Sequence, residues 1–434
     1  MDVLQARRLP PDAVAVTAAA LLVAVAAAVG WVLLGTGTNL LLPFPPLLAE
    51  WRPHVGPGTP VAVVVAALVV LRGPELATRL PWRPLLGAAY AGAVAWTLSL
   101  ALVDGWQRGV VERLTSDQEY LHDVPRVIDI PSMLATFADH ILTDRPGFWT
   151  THVGAHPPGA LLLFTVLDRI GLGGGGRSGL VVVLVGASAA VAVAVTLRAL
   201  GAEEVARRAL PFGVLLPGAV WVGVSADGLF AGVLAWGVAL VAIGATRSGP
   251  VADVAAVAGG VLLGGCLYLS YGLVLAGLLP AAVLVATRAW RAAGWATAGV
   301  VAVVFAFTAA GFWWFTGLER VQVIYAASIA ASRPYAYFVW ANLAALLFVL
   351  GPAVVAGLRR AAATGLQRAA AVGLADRARH PAASLVGRGP LVRARYPAGD
   401  GPRTAAGRRR RGDTPPDLSA TQPTAIRAHR SRSA

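Results

Sequence analysis

Apolar residues run along this chain in long blocks separated by short polar stretches. The blocks lie at about 13–35, 54–72, 84–104, 178–199, 209–225, 228–245, 253–271, 272–288, 294–315 and 336–357. Several reach the roughly 20 residues needed to cross a bilayer core. AVAVTAAALLVAVAAAVGWVLLG, Ala13 to Gly35, is one of them. A shorter run, Gly159 to Leu172, carries Asp168 and Arg169 near its end and is followed by a glycine-rich patch. The pattern predicts an all-α, polytopic membrane protein.

Arginines between the blocks orient them, because cytoplasmic loops are enriched in basic residues. Arg7/Arg8, Arg72/Arg79/Arg83, Arg198/Arg207/Arg208, Arg247, Arg288/Arg291 and Arg359/Arg360 fall on one side only if residues 159–172 do not make a full crossing. That run is therefore read as a re-entrant or partly inserted helix, tolerated where protein or a water-filled cavity surrounds it. The expected topology has about ten transmembrane helices, both termini cytoplasmic, and a large outer loop at 105–157. A second outer loop covers about 316–335, and the turn Ser225–Gly228 (SADG) faces outward as well.

Composition sharpens this. The 434 residues are 57% hydrophobic and 13% charged, with a mean hydropathy of +0.67, against about 25% charged in soluble domains. All 36 basic residues are arginine, which points to a GC-rich, bacterial genome. Cys266 is the single cysteine, so no intramolecular disulfide and no cysteine-based metal site is expected. The first block is long for a signal-peptide core and lacks a clean cleavage site, and is read as a retained helix. The net charge of +14 is uneven: residues 359–434 hold 16 Arg against 4 Asp, while the rest of the chain holds 20 Arg and 18 acids. The chain divides into a transmembrane domain, 1–358, and a basic cytoplasmic tail, 359–434, whose Arg/Pro/Ala/Gly/Ser composition predicts disorder. The tail suits anionic headgroups; it lacks the aromatic interleaving of a nucleic-acid binder, so nucleic acid is not an expected partner. Its composition is also that of a GC-rich gene read out of frame.

The outer loop concentrates the candidate chemistry. It holds a run of acids and four of the seven histidines. SDQEYLHDVPR, Ser116 to Arg126, places Asp117, Glu119 and Asp123 beside a His, a Tyr and Arg126. A carboxylate there can take a proton from an acceptor hydroxyl, and Arg126 can meet a phosphate in a bidentate contact. Ile128–Leu142 reads as an amphipathic helix lying on the membrane surface, apolar face down. His152 and His156 are four apart, but the residue before a proline is pushed to extended geometry. His156 therefore ends an extended segment, and Pro157-Pro158 open a helix with an imidazole at its rim. Asp227, in the SADG turn, and Arg333, flanked by aromatics in the second outer loop, are further substrate-binding candidates; Arg333 also suits an interfacial anchor.

The order of an acidic outer loop, a surface helix and then HPPGALLLF before an apolar segment resembles the GT-C superfamily of integral-membrane glycosyltransferases. That family includes protein O-mannosyltransferases and lipid A aminoarabinose transferases, many of which open a hydrophobic segment with HPP or KPP. The matching positions here are His156-Pro157-Pro158, with Asp227 as the later outer acid; the likeness covers roughly residues 84–245. The acids are spread as DQEYLHD where the family usually has adjacent Asp-Glu, and Gly159-Ala160 stand where bulky aromatics are common. The resemblance implies sugar transfer from a polyprenyl-phosphate donor to a cell-envelope glycan, lipid or protein acceptor, at the outer face of the plasma membrane. It implies that Glu119, Asp123 or Asp117 activates the acceptor, with Arg126, His152, His156, Asp227 and Arg333 in substrate binding. No resident metal or other cofactor is assigned, and a divalent cation stays open. The rival readings are a non-enzymatic protein of envelope assembly and a transporter; span interiors nearly free of charge argue against the transporter.

Overall fold

A computed structural model describes residues 10–144 and 146–379. Among these the chain is helical, with no β-strand. Among the described residues eight helices are long and apolar enough to cross a membrane: α1 Pro11–Gly35, α2 Thr59–Arg79, α3 Trp82–Asp104, α4 Gly174–Ala199, α5 Ala226–Thr246, α6 Pro250–Leu269, α7 Trp290–Ala309 and α8 Tyr335–Thr364. The protein is thus an all-α multi-pass membrane protein. Their starts follow local chemistry. Proline sits in the first turn of α1, α2 and α6, where its missing N–H removes no helical bond. Ser225 caps α5 by accepting from the Asp227 N–H at 3.1 Å.

Two of the ten apolar runs do not form one long helix. Residues 209–225 break into the end of Glu203–Val214 and the short Ala219–Val222. Pro217 and Gly218 lie in the gap, and proline both lacks a donor and clashes with the preceding turn. Residues 272–288 begin as the 3-10 helix Tyr271–Gly277 and continue as Leu278–Thr287. The tail departs from expectation in the other direction: the helical backbone that starts at Tyr335 is interrupted at Gly351 (φ 77°) and then continues to Arg379, past the expected boundary at 359. Its alanines, leucines and arginines are strong helix formers. The remainder of the expected disordered tail, 380–434, lies outside the described residues.

Helices pack through small residues, as expected where lipid provides no hydrophobic drive between spans. A Cβ on Gly260 of α6 would stand 2.0 Å from the Ala296 carbonyl oxygen of α7, so only glycine allows that approach. The helix ends sort into two poles. At one, Arg207 donates to the Ala77 and Leu80 carbonyls, both at 2.9 Å, Arg198 stacks over Trp82, and Arg291 pairs with Asp253. At the other, Gly58 abuts the Ser99 carbonyl near the end of α3, and Arg320 pairs with Asp139 at 2.8 Å. The short helix Gly159–Leu167, with its π-helical extension Asp168–Leu172, does not connect the poles. It starts against Tyr268 at the end of α6. At its far end Arg169 donates to the Ile128 carbonyl at 2.9 Å, in the segment 105–157 that precedes the helix.

Candidate functional site

Residues 105–157 fold into a cap whose core is continuous with that of the helices beneath it. Phe137, fully buried, stacks on Trp149 at 5.3 Å and meets Phe312 edge-on at 5.7 Å. The Trp149 indole N–H donates to the Phe137 carbonyl at 2.9 Å. The expected amphipathic segment is helical over Ile130–Thr136, with a 3-10 turn at Phe137–His140. Its apolar face (Met133, Leu134, Phe137, Ile141) is buried in protein. The lipid-facing orientation is thereby corrected: Phe312 and Trp149 offer aromatic partners to the stripe that lipid was expected to cover.

The cap divides the sequence candidates. Asp123 has 0% exposure. One carboxylate oxygen accepts from Arg126 at 2.6 Å and the other from the Thr150 N–H at 2.8 Å. Arg126 also donates to the Phe148 and Gly147 carbonyls and lies 4.5 Å over the Trp149 ring. This pair, expected to serve as base and phosphate contact, instead ties residues 147–150 to the acidic segment. Asp117 is exposed and makes no ion pair among the described residues. Arg333 lies over Phe338 at 5.4 Å, beside the α1–α8 packing, and pairs with none of the other candidates among the described residues.

Glu119, His152 and His156 do come together, around Tyr120, and Asp227 is near enough for its charge to act on them. The Glu119 carboxylate is 2.9 Å from His152 Nδ1 and about one-fifth exposed. The His152 N–H donates to the Gln118 carbonyl at 3.0 Å, which holds the two segments in register. His152 sits in the helical turn Thr151–Ala155; His156 is extended, with φ −118° and ψ 161°, as a residue before proline should be. Its Nδ1 is 2.8 Å from the His152 carbonyl, so Nδ1 donates and Nε2 keeps its lone pair. Tyr120 stacks on Phe164 at 5.4 Å and lies 5.9 Å from His156 and 6.3 Å from His152, ring to ring. Gly159 completes the arrangement, since a Cβ there would meet the Tyr268 carbonyl oxygen at 2.5 Å. Sequence reasoning left Tyr120 out of the site; its place between the acids of DQEYLHD was the available signal.

The two imidazoles are driven apart in proton affinity. The hydrogen bond to Glu119 raises the His152 pKa above 6.5 against the effect of burial, with further help from the Glu119 and Asp227 charges. Burial lowers that of His156. Burial, with the nearby Asp227 and Glu119 charges, puts Tyr120 well above its ordinary value, so the phenol stays protonated. A raised His pKa stabilises the fold fully below the unfolded value and is lost as pH rises through the folded one. The thermal stability of wild type over His152→Gln should therefore be greatest below about pH 6.5 and shrink as the pH rises. A difference that stays flat across that range would refute the pairing.

Among the described residues no three or more His, Cys, Asp or Glu side chains are grouped to hold a metal ion. No protein-family model, curated protein or solved structure matches this chain.

Proposed function

We propose that this protein is a GT-C-like glycosyltransferase of the bacterial plasma membrane, moving a sugar from a polyprenyl-phosphate donor to a cell-envelope acceptor. In this reading the cap faces outward, the arginine-rich pole faces the cytoplasm, and residues 159–172 form a re-entrant helix. The observation that carries the proposal is the Glu119–His152 pair beside His156, within reach of the Asp227 charge, where HPPG opens a short helix that starts against Tyr268 and returns to the cap at Arg169. Two titratable imidazoles with opposed shifts and a carboxylate, gathered at one rim, are what acid–base chemistry requires.

The acceptor hydroxyl oxygen forms the new bond to the anomeric carbon and its proton passes to Glu119. The bond from the anomeric carbon to phosphate oxygen breaks, and its electron pair leaves with the polyprenyl phosphate. Protonated His152, held by Glu119, stabilises the charge growing on that phosphate. His156, with Nε2 free, orients the acceptor. Donor and acceptor thus meet at the membrane boundary, where both lipid-linked and envelope substrates are accessible.

Membranes containing the full chain, incubated with radiolabelled polyprenyl-phosphate sugars and envelope fractions, should move label into an acceptor in a chain-dependent way. Absence of chain-dependent transfer across a panel of donor sugars would overturn the reading.

A further inference from the structure

The pole opposite the cap contains a cavity of about 490 Å³. Trp82 and Arg83 line it from the start of α3, Arg198 from the end of α4, and Ile243, Thr246 and Arg247 from the end of α5. The volume falls within the roughly 300–1,000 Å³ of ordinary small-ligand sites. Its charge is unbalanced. Glu203 pairs with both Arg198 and Arg207, each at 2.9 Å. Arg198 also lies 4.6 Å over the Trp82 ring, a cation–π contact that helps hold its guanidinium in place. Arg83 and Arg247 are exposed, and among the described residues no carboxylate lies within ion-pair distance of either.

Arg198 and Arg247 stand at helix C-termini, where the macrodipole favours a cation, so their presence has a local reason. Arg83 has none. It occupies the first turn of α3, which contains no acid, at the end where the dipole opposes a cation. An anion in the cavity would offset both the dipole and the mutual repulsion of Arg83, Arg198 and Arg247. The Thr246 hydroxyl donates to the Ala242 carbonyl at 2.8 Å, so it is the arginines that supply donors to a guest.

We propose that this cavity binds a phosphate group, presented by the headgroup of an anionic phospholipid. Arginine forks match phosphate oxygens in bidentate fashion, and basic pockets between transmembrane helices are suited to anionic headgroups. The cavity lies at helix ends, at headgroup depth for spans of this length. Trp82 is a residue type favoured at that boundary, while Ile243 and the neighbouring Val195 give the glycerol portion an apolar wall. The site is independent of the chemistry assigned to the cap.

The test is equilibrium binding of fluorescent phosphatidylglycerol to the full-length chain in neutral detergent. Phosphatidylcholine of equal chain length serves as the comparison, with inorganic phosphate and glycerol phosphate as soluble competitors. Phosphatidylglycerol should be preferred, and the double variant Arg83→Gln/Arg247→Gln should bind it at least about tenfold more weakly. Arg83→Lys/Arg247→Lys, which keeps the charge but loses the forks, should bind between wild type and the glutamine variant, and Arg288→Gln, which removes an exposed arginine outside the cavity, should leave binding unchanged. Full displacement by glycerol phosphate would support the phosphate site with a soluble source in place of the lipid. Equal binding of the two lipids, or an equal loss with Arg288→Gln, would overturn the proposal.

Discussion

Glu119→Gln is expected to lower the rate of sugar transfer by about 10²–10⁴-fold, the usual contribution of a positioned general base. The substitution preserves shape, and the glutamine carbonyl can still accept from His152 Nδ1. Folding should therefore be little affected, while the group that removes the acceptor proton is lost. A second readout is available because Glu119 is the largest cause of the raised His152 pKa. In Glu119→Gln the His152 titration, followed by NMR, should move downward toward 6.5. Initial rates measured at saturating donor separate the loss of a base from weaker donor binding, since removing a group that acts only in the transition state lowers kcat. A rate within a few-fold of wild type would remove Glu119 from the mechanism.

Asp123→Asn should behave differently, costing about 2–3 kcal/mol of stability. That is less than the ~3–5 kcal/mol of breaking a fully buried ion pair, because Arg126 retains some contact with solvent. The carboxylate is completely buried and bonded at both oxygens, and a neutral amide cannot answer Arg126 and the Thr150 N–H equally well. The segment 147–150 carries the Trp149 anchor and leads into His152 and His156, so its release should also loosen the site. Thermal unfolding, together with protease sensitivity of the cap, measures this. Unaltered stability of Asp123→Asn would show that the pair does not hold the cap.

Glu119 and Asp123 are four residues apart and chemically alike, and nothing local separates them. What separates them is the Thr150 N–H, 27 residues further along the chain, and the aromatic core that buries one carboxylate and leaves the other at a rim. Arg126 is likewise an unremarkable basic residue until Gly147, Phe148 and Trp149 close around it. The amphipathic stripe of Ile130–Thr136 was legible as a stripe; whether lipid or protein covers it depends on Phe312, far along the chain.

Local quantities were therefore readable directly. The sequence by itself determined a helical, multi-pass chain and eight of its long helices. It also determined the extended geometry of His156 before Pro157, since these follow from apolar run length and backbone sterics. Only the tertiary structure decided which acid is buried and which reaches the rim, that Tyr120 lies beside both histidines, that the helix from Gly159 starts against Tyr268 and returns to the cap at Arg169, and that three arginines from separate helices line one cavity. Each of those rests on burial and on contacts between distant segments, and burial is a property of the packed assembly that no short stretch of sequence contains.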